Sequence, residues 1–137
     1  MDSKIVLRPI NHNDLEWIRL LRNRNRKYFF DRRIIAIEQQ KKWYQKLDYA
    51  FFIIECDGNP AGTIGLRKLH GVHEIHNVLI DEQFRRKGIL KYAIGWLIEQ
   101  YGGPMYIDVL NKNKSAVNAY KKIGFLPVSL RMKINDK

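Results

Sequence analysis

The sequence predicts a mixed α/β domain whose elements follow the order β-α-α-β-β-β-α-β-α-β. Three observations support this fold class. Runs rich in β-branched and aromatic residues alternate with segments whose apolar residues recur at helical spacing. The dipeptide Asp57-Gly58 separates two strand-like runs, which indicates an antiparallel hairpin. A basic segment with one glycine, residues 85–90, lies between a strand-like run and a long helical pattern.

The first half of the chain contains two predicted helices between β-rich runs. Asn11, with Asp14 three residues later, is typical of a helix start, and the apolar residues that follow share one helix face. The predicted elements of this half are a strand at 4–10, a helix at 15–21, an irregular basic and aromatic segment at 22–36, a helix at 38–47, and hairpin strands at 51–56 and 62–69.

The second half repeats the alternation of strand and helix. Apolar residues at 90, 93, 94, 97, 98 and 101 predict a helix that the sequence Gly102-Gly103-Pro104 ends. Gly124 is typical of a helix C-cap. The predicted elements of this half are a strand at 73–80, a helix at 89–101, a strand at 105–110, a helix at 115–123 and a last strand at 125–134.

The composition is that of one ordinary soluble domain. The chain has 137 residues, of which 45% are hydrophobic and 28% charged. No apolar run approaches the ~20 residues of a membrane helix, and the N-terminus lacks a signal-peptide core. The one cysteine, Cys56, has no internal disulfide partner, and four scattered histidines supply no zinc spacing. We therefore expect a cytoplasmic protein with neither a membrane partner nor a metal.

The net charge of +11, with a pI near 9.9, requires an explanation. Seven basic residues fall between positions 19 and 33, opposed there only by Asp31: Arg19, Arg22, Arg24, Arg26, Lys27, Arg32 and Arg33. Such a cluster suits nucleic acid, a phosphorylated ligand, or solubility alone. The sequence has no helix-turn-helix, zinc-finger or aromatic RNA-binding signature, so a phosphorylated small molecule fits better than nucleic acid.

The basic segment 85–90 is the strongest functional signal in the chain. At the start of a helix, backbone N–H groups, the positive end of the helix dipole and nearby cations together bind phosphate or pyrophosphate. A solvated basic turn is the alternative interpretation. The sequence contains neither the nucleotide P-loop pattern nor the Gly-x-Gly-x-x-Gly pattern of dinucleotide folds.

Two motifs and their spacing carry a resemblance to a known family. The form Gln/Arg-x-x-Gly-x-Gly/Ala is represented here by Arg85, Arg86, Lys87, Gly88, Ile89 and Leu90. The form Asn-x-x-Ala-x-x-x-Tyr-x-x-x-Gly-Phe is represented by Asn113, Ala116, Tyr120, Gly124 and Phe125. With one helix and one strand between them, these motifs resemble the GNAT superfamily of acetyl-coenzyme A-dependent N-acetyltransferases. The resemblance implies a single GNAT-like domain over residues 1–137, a mostly antiparallel central sheet flanked by helices, and acetyl-CoA as co-substrate.

One position departs from the first motif. Leu90 occupies a place where the family has glycine or alanine, and a leucine there narrows the approach of the loop to a pyrophosphate. We expect its side chain to turn into the helix core, because residues 90, 94, 97 and 101 form one apolar stripe.

The first half contains five short matches to the family: Leu7-Arg8-Pro9-Ile10, Asp14-Leu15, Leu21-Arg22-Asn23, Ile37-Glu38 and Trp43-Tyr44. With these matches it resembles two branches of the family. One branch acetylates amino groups of nucleotide-linked amino sugars, and the other acetylates protein N-terminal amines, including those of ribosomal proteins. The basic cluster suits a nucleotide diphosphate, so we rank a small-molecule amine of the first kind ahead. A domain that only binds acyl-CoA is a third alternative, and the oligomeric state, a homodimer included, stays open.

The resemblance implies roles for individual residues in acetyl transfer. Tyr120 would protonate the leaving thiolate, since a phenol keeps its proton at neutral pH; an ordinary core tyrosine is the alternative. Glu74 or His76, on one face of their strand, would take the proton of the amine, unless water does so.

The same resemblance implies the binding residues. Backbone groups of Val78, Leu79 and Ile80 would pair with the pantetheine arm as an added strand does. Asn113 would anchor that arm or cap the following helix. We interpret Cys56 as a core residue, so the acetyl group would pass directly between substrates. Residues 22–33 would form the acceptor wall.

Overall fold

The computed structural model describes residues 3–29 and 31–135. Within these ranges, strands and helices follow the order β1-α1-α2-β2-β3-β4-α3-β5-α4. The strands are β1 (Ile5–Pro9), β2 (Ala50–Cys56), β3 (Asn59–Leu69), β4 (Val72–Ile80) and β5 (Met105–Ile107). The helices are α1 (Leu15–Arg24), α2 (Ile37–Gln45), α3 (Ile89–Tyr101) and α4 (Lys114–Ile123). The predicted mixed α/β class is confirmed.

The five strands form one sheet in the spatial order β1-β2-β3-β4-β5. Antiparallel pairs join β1 to β2, β2 to β3 and β3 to β4, and β5 is parallel to β4. The predicted hairpin turn joins β2 to β3, with Asp57 and Gly58 both at positive φ, as a two-residue hairpin turn requires. Helix α1 begins at Leu15 as predicted, but the capping box belongs to the short 3-10 turn His12–Asp14 that precedes it, where Asp14 Oδ2 accepts a hydrogen bond from the Asn11 backbone N–H.

Strand alternation divides the core between the two sheet faces. On one face Phe52, Ile54 and Ile64 pack in one cluster with Ile94 and Leu97 of α3. The neighbouring residues of β2 point the other way, and this second cluster contains Phe51, Ile53, Ile18, Trp17 and Trp43. Helix α3 therefore covers one face of the sheet, and α1 and α2 cover the other.

The predicted last strand, 125–134, is wrong. Phe125 packs against the core, but the residues after it form no strand in the described part of the chain. The alternating apolar side chains that suggested a strand are 70–87% exposed: Leu126, Val128, Leu130, Met132 and Ile134. A strand needs a partner edge, and the adjacent β5 is only three residues long, ending at Ile107 instead of the predicted 110. Residues 126–134 thus have the alternating pattern of a strand, but β5 gives them no long edge to pair with.

The basic segment 22–36 is more regular than predicted. Helix α1 runs three residues beyond the predicted end, to Arg24, and a short 3-10 turn follows at Arg26–Tyr28. None of the described helices is long and apolar enough to cross a membrane.

Candidate active site

A large groove follows the edge of β4. Strands β4 and β5 pair only from His73 opposite Met105 to Ile75 opposite Ile107. Beyond this point, residues 76–80 of β4 have no β5 partner, and a groove of about 1050 Å³ runs along them. Unpaired backbone N–H and C=O groups of this kind accept an extended ligand as an additional strand. Val78, Leu79 and Ile80, the predicted pantetheine contacts, all line this groove.

A β-bulge shapes this edge from the other side. Thr63 of β3 lies opposite Leu79, whereas Gly65 lies opposite His76, so two residues of β4, Asn77 and Val78, face one residue of β3. Asn77 has a φ of 54°, and its carbonyl accepts a 2.8 Å hydrogen bond from the hydroxyl of the buried Thr63. The bulge is therefore a fixed feature of the site.

Gly62 allows the two strands to approach closely at this point. A Cβ on Gly62 would lie 2.3 Å from the carbonyl oxygen of Leu79, a distance that no side chain tolerates. The glycines of β3 thus set the position of the β4 edge, and their occurrence inside a strand was the available sequence signal. Thr63 and Asn77 carry no such local signal, and sequence reasoning missed them.

The loop between β4 and α3 offers donors at the opposite end of the groove. Gly88, with a φ of 74°, is the N-cap of α3, and no side chain caps the first turn. A Cβ on Gly88 would meet nothing within 4 Å, so the approach to the N–H groups of this turn is open. The N-terminus of a helix in this state fits the pyrophosphate of a coenzyme. Arg86, Ile89 and Leu90 line the groove beside it.

Three further residues of the segment 85–90 take distinct positions. Leu90 packs against the core, as expected, although it also lines the groove. Lys87 lies outside the groove lining, with its Nζ 5.5 Å from the centre of the Phe84 ring. Arg85 lines the groove, but its Nε donates to the carbonyl of Ile80 and its Nη2 donates to Oδ1 of Asn25, each at 3.1 Å.

Asn25 links the end of α1 to this loop. Its side chain is buried, and its Nδ2 donates a 2.9 Å hydrogen bond to the carbonyl of Leu21 while its Oδ1 accepts from Arg85. The neighbouring Arg24 lies 3.8 Å from the carboxylate of Asp81. Sequence reasoning missed Asn25, because its partner lies 60 residues away and no local pattern connects the two.

Helix α4 places Tyr120 and Asn113 on the groove. Tyr120 is 9% exposed, and its ring meets the edge of Phe125 at 5.7 Å. Burial raises the pKa of Tyr120 to about 12, so the hydroxyl is protonated throughout the neutral range. Asn113 is the N-cap of α4, with its Oδ1 accepting from the backbone N–H of Ala116 at 3.3 Å.

The two predicted bases differ in their surroundings. His76 Nε2 is buried without a hydrogen-bond partner in the described part of the chain, and Nδ1 lies 3.3 Å from Nδ2 of Asn77. The ring centre lies 4.4 Å from that of Tyr49. Burial, with the positive charge of Arg67, lowers the pKa of His76 to about 4, so the ring is neutral at pH 7. Glu74 lies 3.3 Å from Arg67 Nη2, so its carboxylate is paired. Both residues line the groove.

A second cavity, of about 430 Å³, lies between α1, α2 and β4. Its walls include the arginines Arg22 and Arg33, together with Trp43 from α2. It adjoins the groove, because five residues line both: Arg22, Phe29, Asp31, Asn77 and Leu79. A molecule in this cavity would therefore meet a ligand on the β4 edge at the bulge.

The fold, the open strand edge and the uncapped helix end define a protein that binds an extended phosphorylated ligand across a split sheet. Residues 16–125 match the Acetyltransferase (GNAT) family, and the chain belongs to that family. It is an acetyl-CoA-dependent N-acetyltransferase, as the sequence motifs predicted. In the described part of the chain, no group of three or more histidine, cysteine or acidic residues is placed to hold a metal ion.

Relatives with assigned activities include acetyltransferases of different substrate classes. The chain is 27% identical over 135 residues to a spermidine N(1)-acetyltransferase of Escherichia coli K12, covering 88% of this chain and 72% of the relative. It is 29% identical over 120 residues to an N-alpha-acetyltransferase of Sulfurisphaera tokodaii, covering 75% of this chain and 66% of the relative.

Solved structures match the fold over nearly the whole chain. An aminoglycoside N-acetyltransferase in complex with CoA superposes with a TM-score of 0.73, at 18% identity over 100% of this chain and 97% of that chain. FdhC, described as a nucleotide-linked sugar GNAT, superposes with a TM-score of 0.78, at 19% identity over 96% of this chain and 84% of that chain.

Proposed function

We propose that one domain over residues 1–137 transfers the acetyl group of acetyl-CoA directly to the primary amine of a nucleotide-linked amino sugar. One observation carries the proposal: an arginine-walled cavity adjoins the groove at the β4 bulge. Its volume of about 430 Å³ suits a sugar-sized group, since small-molecule sites span about 300–1,000 Å³. The similarity of the fold to FdhC supports this choice of acceptor.

Acetyl-CoA would lie along the groove. Its pantetheine arm would pair with the backbone of Val78, Leu79 and Ile80, and its pyrophosphate would bind the first turn of α3 after Gly88. Arg86 and Lys87 would neutralise phosphate charge at the mouth. Arg85 has two nitrogens bound within the protein, so its main contribution would be to hold the loop in place.

The reaction exchanges a C–S bond for a C–N bond. The amine nitrogen attacks the thioester carbonyl carbon, the C–S bond breaks, and the departing thiolate takes the proton of the Tyr120 hydroxyl. A backbone N–H of the β4 edge would polarise the thioester oxygen, a contribution on the order of 3 kcal/mol for such donors. Asn113 caps α4, so its contribution to binding the pantetheine arm would be to hold the start of this helix beside the groove.

The proton of the amine must also leave. His76 is neutral and has an unpaired Nε2, whereas the carboxylate of Glu74 is paired with Arg67. Because the amide Nδ2 of Asn77 can only donate to His76 Nδ1, the neutral ring carries its proton on Nε2 and cannot take the amine proton there. Water is therefore the proposed acceptor of this proton, and the Nε2–H of His76 would orient it.

Acetylation of protein N-terminal amines is the second candidate. The similarity to the Sulfurisphaera N-alpha-acetyltransferase favours it. The similarity to spermidine N(1)-acetyltransferase suggests a polyamine acceptor. The cavity lining, however, has two arginines and only one aspartate, and this net positive charge would repel a polycation. Retention of Tyr120 on the groove favours catalysis over mere binding of acyl-CoA.

The test is an acetylation assay with acetyl-CoA and a panel of acceptors. The appearance of the free thiol of CoA measures the rate. The panel contains nucleotide-linked amino sugars, peptides with free N-termini and spermidine. We expect the highest kcat/KM with an amino-sugar nucleotide, and Tyr120→Phe is the control for background hydrolysis. A preference for peptides or spermidine would overturn the proposed acceptor. Binding of acetyl-CoA with no turnover on any acceptor would favour the non-catalytic alternative.

A further inference from the structure

The basic residues of the segment 19–33 are not equivalent in the structure. Arg19 pairs with Glu16 and also donates to the carbonyl of Ile35. Arg33 binds the carboxylate of Asp31 through Nε and Nη2. These guanidinium groups are therefore engaged by the protein itself.

Arg22 is different because part of its guanidinium is buried and unused. Its Nη2 donates to the carbonyl of Asp31, and its Cζ lies 3.8 Å from the centre of the Phe29 ring. Its Nη1 is buried and has no hydrogen-bond partner among residues 3–29 and 31–135. Buried donors are almost always paired in folded proteins, and an unpaired cationic donor is especially unfavourable. Guanidinium keeps its charge under these conditions, so an anionic oxygen is its natural partner.

The position of Arg22 connects it to the acceptor. It lines both the 430 Å³ cavity and the groove, and it shares this boundary with Asn77 and Leu79 of the β4 bulge. The nearby carboxylate of Asp31 is held by Arg33, through the side chain and the backbone N–H, so it does not occupy Nη1. Arg22 therefore lies at the junction where the amine and the thioester would meet.

We infer that Arg22 is a specificity-determining residue that binds an anionic oxygen of the acceptor, a phosphate or a carboxylate, through its Nη1. This inference rests on the proposed function, because it assigns a substrate group to the same cavity. It also goes beyond that proposal: the acceptor is an amine that carries its anion close to the reacting nitrogen, and a single arginine of the cluster recognises it.

The experiment compares matched amines with and without the anion. One pair is glucosamine 6-phosphate and glucosamine, and the other is lysine and cadaverine, which differ by a carboxylate. Each is measured in binding by titration calorimetry in the presence of CoA, and in turnover with acetyl-CoA. In one of the two pairs, we expect the anionic amine to bind about 10- to 100-fold more tightly than its partner without the anion. A preference in the glucosamine pair would identify the anion as phosphate, and a preference in the lysine pair would identify it as carboxylate.

Variants then assign the preference to Arg22. Arg22→Gln should reduce the anion preference, the ratio of the two affinities within a pair, to within threefold of unity, and Arg22→Lys should restore part of it. Arg26→Gln removes the same charge at a position outside both cavities, and it should retain the preference. Because Arg22 also holds the carbonyl of Asp31, acetyl-CoA affinity and thermal midpoints verify that each variant is folded.

The outcomes separate the inference from the proposed function. Anion preference in binding without turnover supports the role of Arg22 and contradicts only the acceptor class. Equal or undetectable binding of both members in both pairs overturns the inference, whatever the turnover. A preference that Arg22→Gln retains, or that Arg26→Gln abolishes equally, also overturns it, because the charge of the cluster as a whole would then be responsible.

Discussion

Replacing Gly62 by alanine should weaken acetyl-CoA binding although residue 62 would not touch the ligand. The new Cβ would lie 2.3 Å from the carbonyl oxygen of Leu79 and 2.9 Å from Cδ1 of Ile80. Carbon and oxygen atoms in close-packed interiors rarely approach within about 3 Å, so β3 and β4 must separate locally by about 0.7 Å or more. That movement displaces the part of β4 that would pair with the pantetheine arm.

The expected magnitude follows from the hydrogen bonds at risk. Two backbone hydrogen bonds between the arm and β4, each with a net value of about 0.5–1.5 kcal/mol, amount to about 1–3 kcal/mol. The dissociation constant of acetyl-CoA should therefore rise about 5- to 150-fold. Titration calorimetry measures the change, and a thermal melt determines how much of it reflects lost stability.

Two other glycines provide matched controls. A Cβ on Gly65 would lie 3.1 Å from the carbonyl oxygen of His76, so Gly65→Ala requires a shift of a few tenths of an ångström and should change the affinity less. Gly95 lies in α3 with nothing within 4 Å, so Gly95→Ala should stabilise the protein by about 0.5–1 kcal/mol without affecting binding. A folded Gly62→Ala variant with unchanged affinity would refute the assignment of the β4 edge to the pantetheine arm.

Three further predictions concern the groove. Tyr120→Phe should lower kcat by about 10²- to 10⁴-fold without changing acetyl-CoA affinity, because only the proton donor is lost; steady-state turnover within threefold of the parent would remove Tyr120 from the mechanism. Gly88→Glu should abolish acetyl-CoA binding in calorimetry, since it adds a like charge at the pyrophosphate site and strains a residue with a φ of 74°, and circular dichroism should report an intact fold. The pKa of His76 is lowered to about 4 from an ordinary value of 6.5, so its neutral form contributes stability above pH 6.5 that is lost as pH falls towards 4. The thermal midpoint of His76→Gln should consequently fall less between pH 7 and pH 4.5 than that of the parent, and equal slopes would contradict the burial of a neutral ring.

Features with local signals were predictable from the sequence. The Asp57-Gly58 turn, the cap at Asn11 and the helix at Ile89–Tyr101 each depend on residues within one turn or one repeat of the pattern. The structure places Tyr120 and segment 85–90, apart from Lys87, along one groove, and the roles of these residues stay predictions.

The features that escaped prediction depend on distant partners. Asn25 binds a residue 60 positions away, and the hydroxyl of Thr63 determines the position of a carbonyl on another strand. The alternation between 126 and 134 is a genuine strand pattern, but whether a strand forms depends on a pairing edge that no local pattern can reveal. The different hydrogen bonding of the clustered arginines likewise could not be predicted, because charge alone does not distinguish Arg22 from Arg33.

The hydrogen bond between Asn25 and Arg85 has a thermodynamic consequence. Arg22, in the last turn of α1, lines the 430 Å³ cavity, and Asn25, three residues later, binds the loop at the start of α3. Ordering of this loop by one substrate would thus also order the wall of the cavity for the other. Such coupling is reciprocal: whatever factor acetyl-CoA adds to the affinity for the acceptor, the acceptor must add to the affinity for acetyl-CoA. Removing the bond by Asn25→Ala should lower the cooperativity of the ternary complex by the part that passes through this link, which titration of each ligand with and without the other would measure.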